Sequence, residues 1–285
     1  MDYIVNGSGT VRLGQKCRIG SNVQFIVNEP SEIIIGDNVI LGDNVKVVVE
    51  SGNVNIDDWS SLHANTLVLC KKEVNIGQHC WFGQNTVLDG TGGLNIKNGV
   101  RVGMYSQIWT HVAAGEQIEG CTLIGENPVT IDRDAWLVGS CTVGSGVTIG
   151  KKAICMNGSN ITKNVADDSV VMGIPAKPRS TLNFYKTISL DDKFKLMITW
   201  VHEFSSLHNN VSVEKNNTVI KVSNSKQNVL IFKECIDYSA YVTEELESKF
   251  CLETKEYTKN LLDLEIDLIR YLSGNKARFY TNLSL

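Results

Sequence analysis

His111 is the side chain of this sequence that is best placed to act as a general base. Histidine can take a proton from a weakly acidic group near neutral pH, because its ordinary pKa lies close to that range. The chain has five histidines. His202 and His208 belong to a later, helical segment, while His63 and His79 occupy turn-like positions of a repeat and are expected to be exposed. His111 stands where that repeat is interrupted, which indicates a catalytic role.

The repeat has a period of six residues. Typical units are "IGSNVQ", "LGDNVK", "IGQHCW" and "IGKKAI", with an aliphatic first residue, a small fifth residue and turn-forming residues between them. A helix would need apolar residues every three or four positions, and that spacing is absent here. The period predicts a β-solenoid in which three hexapeptides form one triangular coil around inward-pointing aliphatic side chains. Cys17, Cys80 and Cys141 fall on fifth positions and are expected to be small core residues.

One coil of this solenoid is longer than the others. Successive coil starts are mostly 18 to 22 residues apart, but the step from Ile96 to Ile131 is 35 residues. The excess predicts a loop over residues 112–129 that leaves the solenoid directly after His111. Such long loops on a rigid scaffold are often functional.

Composition narrows the class of protein and its partners. The formal net charge is −4, and the lysines and arginines are scattered, so no nucleic-acid partner is expected. No apolar stretch is long enough to span a bilayer, and the N-terminus does not have the pattern of a signal peptide. The eight cysteines show no CxxC pairing, which favours reduced thiols. We therefore expect a cytoplasmic protein that does not insert into membranes.

The segment from Trp109 to Arg179 carries a more specific pattern. "WTH" is followed by the predicted loop, then by "PVTIDRDAWLVGSCTVGSGVTIGKKA" and "GSNITKNVADDSVVMGIPAKP". This combination resembles the hexapeptide-repeat acyltransferases, most of all the branch of maltose, galactoside and surface-polysaccharide O-acetyltransferases. The resemblance covers about residues 10 to 180. It implies an all-β, left-handed parallel β-helix, a homotrimer, and acetyl-CoA as acyl donor bound between adjacent subunits.

The resemblance also implies roles for individual residues. His111 would be the catalytic base, and Trp136, at an outward-facing position, would wall the active site against the acceptor or the pantetheine arm. The backbone N–H of Gly139 would lie near the thioester and could stabilise an oxyanion. The remaining cofactor-binding positions would be Asn157, Thr162 and Lys163 along the pantetheine and nucleotide channel, with Lys177 and Arg179 near the phosphates of CoA.

The sequence departs from the sugar acetyltransferases at one position. Gly83 stands where that branch has an asparagine, one coil before the histidine. Asn85 and Asp89 are therefore the candidates for binding the acceptor, which need not be a simple free sugar. No metal is expected, because His63, His79 and His111 lack the closely spaced pair that a zinc site of this fold would need.

Residues 181–285 lie outside the resemblance and predict a small α+β domain after a β-helix domain of residues 1–180. "LDDKFKLMITWVHEFSSL" predicts an amphipathic helix capped by Ser189. "TVIKV" and "NVLIF" predict a β-hairpin, and "TKNLLDLEIDLIRYLSG" predicts a second helix that ends at Gly274. This domain could recognise a polymeric acceptor, bind a partner enzyme or help trimerisation, and the sequence does not choose among these.

The predicted function is O-acetyl transfer from acetyl-CoA to a carbohydrate hydroxyl of a bacterial capsular or other surface polysaccharide, or of its precursor. Transfer would be direct, since no cysteine or serine is evidently paired with His111. Two alternatives remain open. One is N-acylation of an amino-sugar nucleotide, and the other is a non-catalytic solenoid scaffold with a C-terminal binding domain.

Overall fold

The computed structural model describes residues 3–242 and 244–281. The chain forms two compact units, Met1–Phe184 and Tyr185–Leu285. Among the described residues, no helix combines the length and the apolar character needed to cross a membrane.

The first unit is a parallel β-helix of three sheets. Strands are numbered in chain order. Sheet 1 contains β1 (Tyr3–Asn6), β4 (Val23–Val27), β7 (Lys46–Val49), β10 (Leu67–Cys70), β13 (Val87–Gly90), β16 (Gln107–Ile108), β21 (Thr142–Val143) and β24 (Asn160–Ile161). Sheet 2 contains β2 (Thr10–Leu13), β5 (Glu32–Ile35), β8 (Asn53–Ile56), β11 (Glu73–Ile76), β14 (Leu94–Ile96), β19 (Val129–Ile131) and β22 (Thr148–Ile149). Sheet 3 contains β3 (Arg18–Ile19), β6 (Ile40–Leu41), β9 (Ser61–Leu62), β12 (Trp81–Phe82), β15 (Arg101–Val102), β20 (Trp136–Leu137), β23 (Ile154–Cys155), β25 (Val170–Met172) and the antiparallel β26 (Lys177–Pro178).

Aliphatic first positions of the hexapeptides form the core, as predicted. Val47, Val68, Leu88, Ile108 and Val143 lie in register along sheet 1, and each is fully buried. Each coil buries this apolar column only against its neighbours. The predicted fold class, a parallel β-helix followed by a small α+β domain, is confirmed.

The corners of the coils are tight turns with left-handed backbone. At the corner between sheets 3 and 1, Asn22, Asn44, Asn65 and Asn85 all have φ between 55° and 60°. Asparagine tolerates this conformation better than other non-glycine residues. Their side chains also form a ladder, in which each Nδ2 donates to the Oδ1 of the next asparagine at 2.9, 3.2 and 3.2 Å. This ladder explains the recurring "N" in the hexapeptides.

Glycine at the second hexapeptide position has a steric cause. A Cβ on Gly83 would lie 2.5 Å from the backbone nitrogen of Met104 in the next coil. The asparagine that sugar acetyltransferases carry at this point would therefore require the backbone to move. Neighbouring coils approach too closely here for any side chain.

The second unit is an α+β domain. Its elements are α1 (Leu190–Leu207), β27 (Ser212–Lys215), β28 (Val219–Ser223), β29 (Asn228–Phe232), α2 (Cys235–Ala240), β30 (Glu247–Cys251) and α3 (Asp263–Ser273). The strands form one sheet in the order β27-β28-β29-β30, with β27 to β29 antiparallel and β30 parallel to β29. Helix α1 begins as predicted, because the Ser189 hydroxyl accepts a hydrogen bond from the backbone N–H of Asp192 at 3.1 Å. The predicted hairpin is β28 and β29, and α3 ends next to Gly274 as predicted.

Candidate active site

His111 lies at the corner between sheets 1 and 2, which we call the His111 corner. After β16 the chain leaves the prism and forms β17 (His111–Ala113), a short 3₁₀ helix (Gln117–Glu119) and β18 (Ile124–Glu126), before it returns as β19. Strands β17 and β18 pair antiparallel, with His111 opposite Glu126. The predicted loop is therefore an ordered hairpin that begins at His111.

The imidazole of His111 rests on a buried carboxylate. Nδ1 of His111 lies 2.8 Å from Oδ2 of Asp89, one coil earlier. The Asp89 side chain has no exposed surface, whereas the His111 side chain is 37% exposed. Asp89 does not reach the open surface, and a buried carboxylate beneath a partly exposed ring is better placed to orient the ring than to contact an acceptor.

Hydrogen bonds keep Asp89 ionised. Its Oδ1 accepts from the N–H and the hydroxyl of Thr91 at 3.1 and 2.5 Å, and its Oδ2 accepts from the N–H and the hydroxyl of Thr110 at 2.7 and 2.8 Å. Burial would raise the pKa of Asp89, but these bonds and the one from His111 outweigh it and lower that pKa below its usual value. An ionised carboxylate only accepts, so Nδ1 of His111 must carry the proton. The lone pair of the neutral ring is then on Nε2.

Thr110 connects His111 to three coils of the prism. It is fully buried, and its hydroxyl also accepts a hydrogen bond from the N–H of Gly92 at 2.8 Å. Its carbonyl oxygen accepts from the hydroxyl of Ser145 and from the N–H of Asn127, both at 2.9 Å. These bonds fix the backbone from which the His111 side chain projects.

An ion-pair cluster attaches the hairpin to the prism. Glu126, opposite His111 in the hairpin, lies 2.8 Å from Nζ of Lys71 and 3.5 Å from Nζ of Lys72, at the same corner two coils earlier. The hydrogen bond from Lys71 is the main reason that the pKa of Glu126 is lowered. The second strand of the hairpin is therefore tied to the His111 corner.

The predicted site residues fall at two different corners. Thr162 and Lys163 lie at the His111 corner, just after β24, and their side chains are exposed. Gly139 and Asn157 lie at the corner between sheets 3 and 1, which we call the Gly139 corner. A Cβ on Gly139 would lie 3.0 Å from Oδ1 of Asn157, so these two residues are adjacent. The N–H of Gly139 donates no hydrogen bond within the described residues.

The other predicted site residues lie on or next to sheet 3, or belong to the asparagine ladder that links the coils. Trp136 projects outward from sheet 3 and is 42% exposed, in register with Arg101. Lys177 and Arg179 are exposed and lie at and just after β26, where the N–H of Arg179 donates to the carbonyl of Val170. Asn85 belongs to the asparagine ladder, where its Oδ1 accepts from Asn65.

The expectation that His79 is exposed is wrong. It is only 6% exposed and stacks on Trp59, with ring centroids 5.9 Å apart and planes 3° apart. His63 is half-buried against Trp81, and burial lowers its pKa. Within the described residues, no three His, Cys, Asp or Glu side chains are grouped so that they could hold a metal ion.

All eight cysteines are free thiols. Cys17, Cys80 and Cys141 are buried, as predicted for small core residues. Burial raises the pKa of Cys70 and of Cys155 to about 12, which suppresses the thiolate. In the part of the chain that the structure describes, His111 hydrogen-bonds neither a cysteine nor a serine side chain.

Sequence reasoning missed the partners that position His111. The sequence predicts Asp89 as a residue that binds the acceptor, and it gives no signal for Thr110, Ser145 or Lys71. The coil period places Asp89 one coil before His111, but only the register of β13 and β16 in sheet 1 shows that the two residues are in contact.

No family model matches the chain. Nodulation protein L of Rhizobium meliloti (strain 1021) is 33% identical over 108 residues, which cover 37% of this chain and 58% of that protein. The match therefore spans somewhat more than half the length of this curated relative. Similar solved structures include the polySia specific acetyltransferase NeuO (17% identity, 71% of this chain, 98% of that chain, TM-score 0.40) and a maltose O-acetyltransferase from Clostridium difficile 630 (18% identity, 53% of this chain, 69% of that chain, TM-score 0.38). A third is the Arabidopsis UDP-N-acetylglucosamine acyltransferase (14% identity, 73% of this chain, 91% of that chain, TM-score 0.45).

The fold and the corner site define a β-helix protein built from hexapeptide coils with an inserted, histidine-bearing hairpin. The hexapeptide repeat and the parallel β-helix that the sequence predicts are both present, and the chain is similar to the proteins named above.

Proposed function

We propose that this chain is an O-acetyltransferase that moves an acetyl group from acetyl-CoA to a carbohydrate hydroxyl. The observation that carries the proposal is the pairing of a buried, ionised Asp89 with the partly exposed ring of His111 at the root of the hairpin. The resemblance of the segment from Trp109 to Arg179 to surface-polysaccharide O-acetyltransferases supports the same class of acceptor. The acceptor would be a bacterial capsular or other surface polysaccharide, or its precursor.

In this proposal His111 acts through Nε2. It accepts the proton of the acceptor hydroxyl while the hydroxyl oxygen attacks the thioester carbonyl carbon, and the C–S bond to CoA then breaks. Asp89 stabilises the imidazolium that forms, and His111 returns the proton to the leaving thiolate. A positioned base of this kind typically contributes about 10²–10⁴-fold in rate. No acyl-enzyme is needed, because no side-chain nucleophile is hydrogen-bonded to His111 among residues 3–242 and 244–281.

The two-corner distribution of the predicted residues favours a site shared between copies of the chain. Gly139 and Asn157 lie at a different corner from His111, so we propose that a neighbouring copy supplies them. The N–H of Gly139 would then hold the oxyanion of the tetrahedral intermediate, and such donors are often the largest catalytic contribution. A homotrimer, as the family resemblance implies, would bring the two corners together. Trp136 would wall the same cleft.

In this proposal acetyl-CoA, the acyl donor, binds along the His111 corner. Neighbouring strands in a sheet are about 4.8 Å apart, so Thr162 and Lys163 lie roughly 10 Å from Thr110 along the prism axis. Their exposed side chains would meet the pantetheine arm and the nucleotide. Lys177 and Arg179 supply further cations for the phosphates of CoA.

The test is an acetyl-CoA consumption assay over polysaccharides, oligosaccharides and nucleotide sugars. We expect turnover with a hydroxyl acceptor, and a loss of about 10²–10⁴-fold in the His111→Ala variant, because the base is removed. The His202→Ala variant, which changes an exposed histidine of helix α1, is the matched control.

Each rival function gives a different result in this assay. Turnover only with amino-sugar nucleotides would indicate N-acylation. A protein that neither consumes acetyl-CoA nor gains thermal stability from CoA would be a scaffold. Equal turnover by wild type and His111→Ala would contradict the proposed mechanism.

A further inference from the structure

The C-terminal unit contains a cavity of about 400 Å³. It lies on the face of the sheet opposite to α3, because Ser248 contacts Glu265 of that helix while its neighbour Glu247 lines the cavity. Leu230 and Phe232 of β29 contribute its apolar floor and are 5% and 3% exposed. A volume of this size suits a small molecule.

Among the residues that line this cavity, Glu247 is unusual because it is a buried acidic side chain. Its side chain is only 3% exposed, and its Oε1 has no hydrogen-bond partner within the described residues. Tyr241 also lines the cavity, and its pKa is raised by burial and by the nearby carboxylate of Glu247. A buried carboxylate oxygen without a donor is costly, so the site requires donors that the described residues do not supply.

The charges around the cavity are balanced. Two carboxylates, Glu214 and Glu247, and two ammonium groups, Lys215 and Lys221, line it together with Asn216. Glu214 and Lys221 lie opposite each other on neighbouring strands. A ligand of large net charge would be attracted by one pair and repelled by the other.

We propose that this cavity binds a neutral pyranose sugar. A hydroxyl group both donates and accepts, so neighbouring hydroxyls of one ring can donate to Glu247 and accept from Lys221 at once. The apolar face of the ring, formed by C–H groups, would pack on Leu230 and Phe232, whose ring lies 5.3 Å from that of Tyr241. An amino acid offers one ammonium and one carboxylate, and would leave the other lysine and glutamate unmatched. The site is separate from the His111 corner and does not depend on acetyl transfer.

The full-length protein tests this by calorimetric titration and saturation-transfer NMR. The probes are the methyl glycosides of glucose, galactose and N-acetylglucosamine, with glycine and leucine as zwitterionic probes. We expect at least one glycoside to bind, and its Kd to rise roughly tenfold in Glu247→Gln and in Lys221→Ala, because each variant removes a hydrogen bond to a charged group.

Two matched controls keep the test specific. Glu265→Gln changes another buried glutamate with an unpartnered oxygen that lies outside the cavity, and Lys226→Ala changes an exposed lysine of the turn between β28 and β29. Neither should alter the Kd. Tyr241→Phe, which keeps the ring, replaces Glu247→Gln if circular dichroism shows that the latter is unfolded.

Three results would overturn the proposal. These are no binding of any glycoside to the wild type, glycoside binding that is unchanged in both cavity variants, or binding of the amino acids in place of the sugars. Turnover of acetyl-CoA in Glu247→Gln, measured in parallel, reports on the His111 corner alone. Failure of one proposal is thus distinguishable from failure of the other.

Discussion

Asp89→Asn isolates the contribution of the carboxylate beneath His111 with almost no change in side-chain shape. The amide oxygen should take the Oδ2 position, because three donors converge there, from Thr110 (two) and His111. The amide nitrogen then faces Thr91. The Thr91 hydroxyl can rotate to accept a hydrogen bond from this nitrogen, whereas the backbone N–H of Thr91 loses its acceptor. Fold and ring orientation are thus retained, and the negative charge is lost.

The expected magnitude follows from the change in one hydrogen bond. A charge-assisted hydrogen bond is about twice as strong as a neutral one, a difference of roughly 1–1.5 kcal/mol. If that difference is realised as the imidazolium forms, kcat falls about tenfold. The KM for acetyl-CoA should stay unchanged, because Asp89 is buried and contacts no surface that a substrate reaches.

Steady-state kinetics on the best acceptor from the consumption assay measure this effect. Asp58→Asn is the matched control, because Asp58 is a buried coil carboxylate that accepts from the N–H of Asp37 at 2.7 Å, at another corner. The double variant Asp89→Asn, His111→Ala should be no slower than His111→Ala alone, since both changes act through one ring. Wild-type kcat in Asp89→Asn, or fully additive losses in the double variant, would refute the reasoning.

The same substitution has a consequence for stability in acid. The pKa of Asp89 is lowered in the folded protein, so its ionised form contributes stability above the ordinary Asp pKa of about 3.9. That contribution is lost as the pH falls through the lowered value. Urea unfolding between pH 7 and pH 3 should therefore show a smaller acid-dependent loss of stability in Asp89→Asn than in the wild type.

Two further changes test the surroundings of this site, and a third tests the C-terminal unit. Gly92→Ala should destabilise the protein by about 1–3 kcal/mol and lower kcat, because its Cβ would overlap the carbonyl oxygen of Thr110; urea unfolding and the consumption assay measure both effects. Lys71→Ala should speed hydrogen exchange in the hairpin, because it removes the 2.8 Å ion pair to Glu126, without a measurable change in Tm. Ser189→Ala should lower the free energy of unfolding of the C-terminal unit by about 0.5–2 kcal/mol, since helix α1 loses its N-cap.

Each of these has an internal check. Gly115→Ala, where the nearest atoms to a Cβ are 3.5 Å away, should behave as wild type. Added salt should mimic Lys71→Ala in the exchange experiment, because the pair is exposed. Ser189→Thr should retain most of the stability, since threonine keeps a hydroxyl that can accept from the N–H of Asp192 and donate to its carboxylate. The opposite result in any of the three would show that the contact named is not the cause.

The coils were predictable because their signal is local. An aliphatic residue, a tight turn and a small residue recur within each six positions. The same pattern therefore predicts which residues form strands, which point into the core and which form the corners. The place of the inserted loop was predictable for the same reason, since an interruption is visible only against a regular period, whereas its folding into a hairpin was not predicted. His111 was identified by its position at that interruption.

The partners of His111 were harder to predict because coils vary in length. Asp89 and Thr110 are neighbours only when the register of β13 and β16 is known. In the C-terminal unit, α1 and the hairpin were predicted from periodicity and turn residues. Strands β27 and β30 were missed. β27 carries the polar sequence SVEK, and β30 pairs parallel to β29 across an intervening helix, with no turn signal to reveal it.

The hairpin interrupts the sequence of the prism but not its hydrogen bonding. Gln107 pairs with Thr142, and Leu94 with Val129, as if the residues between had never been inserted. Lengthening such an excursion twofold adds only about 0.6 kcal/mol of closure entropy. The pairing of the coils therefore does not depend on the residues between β17 and β18, so this junction can accept an insertion of a different length while the coils on either side keep their register.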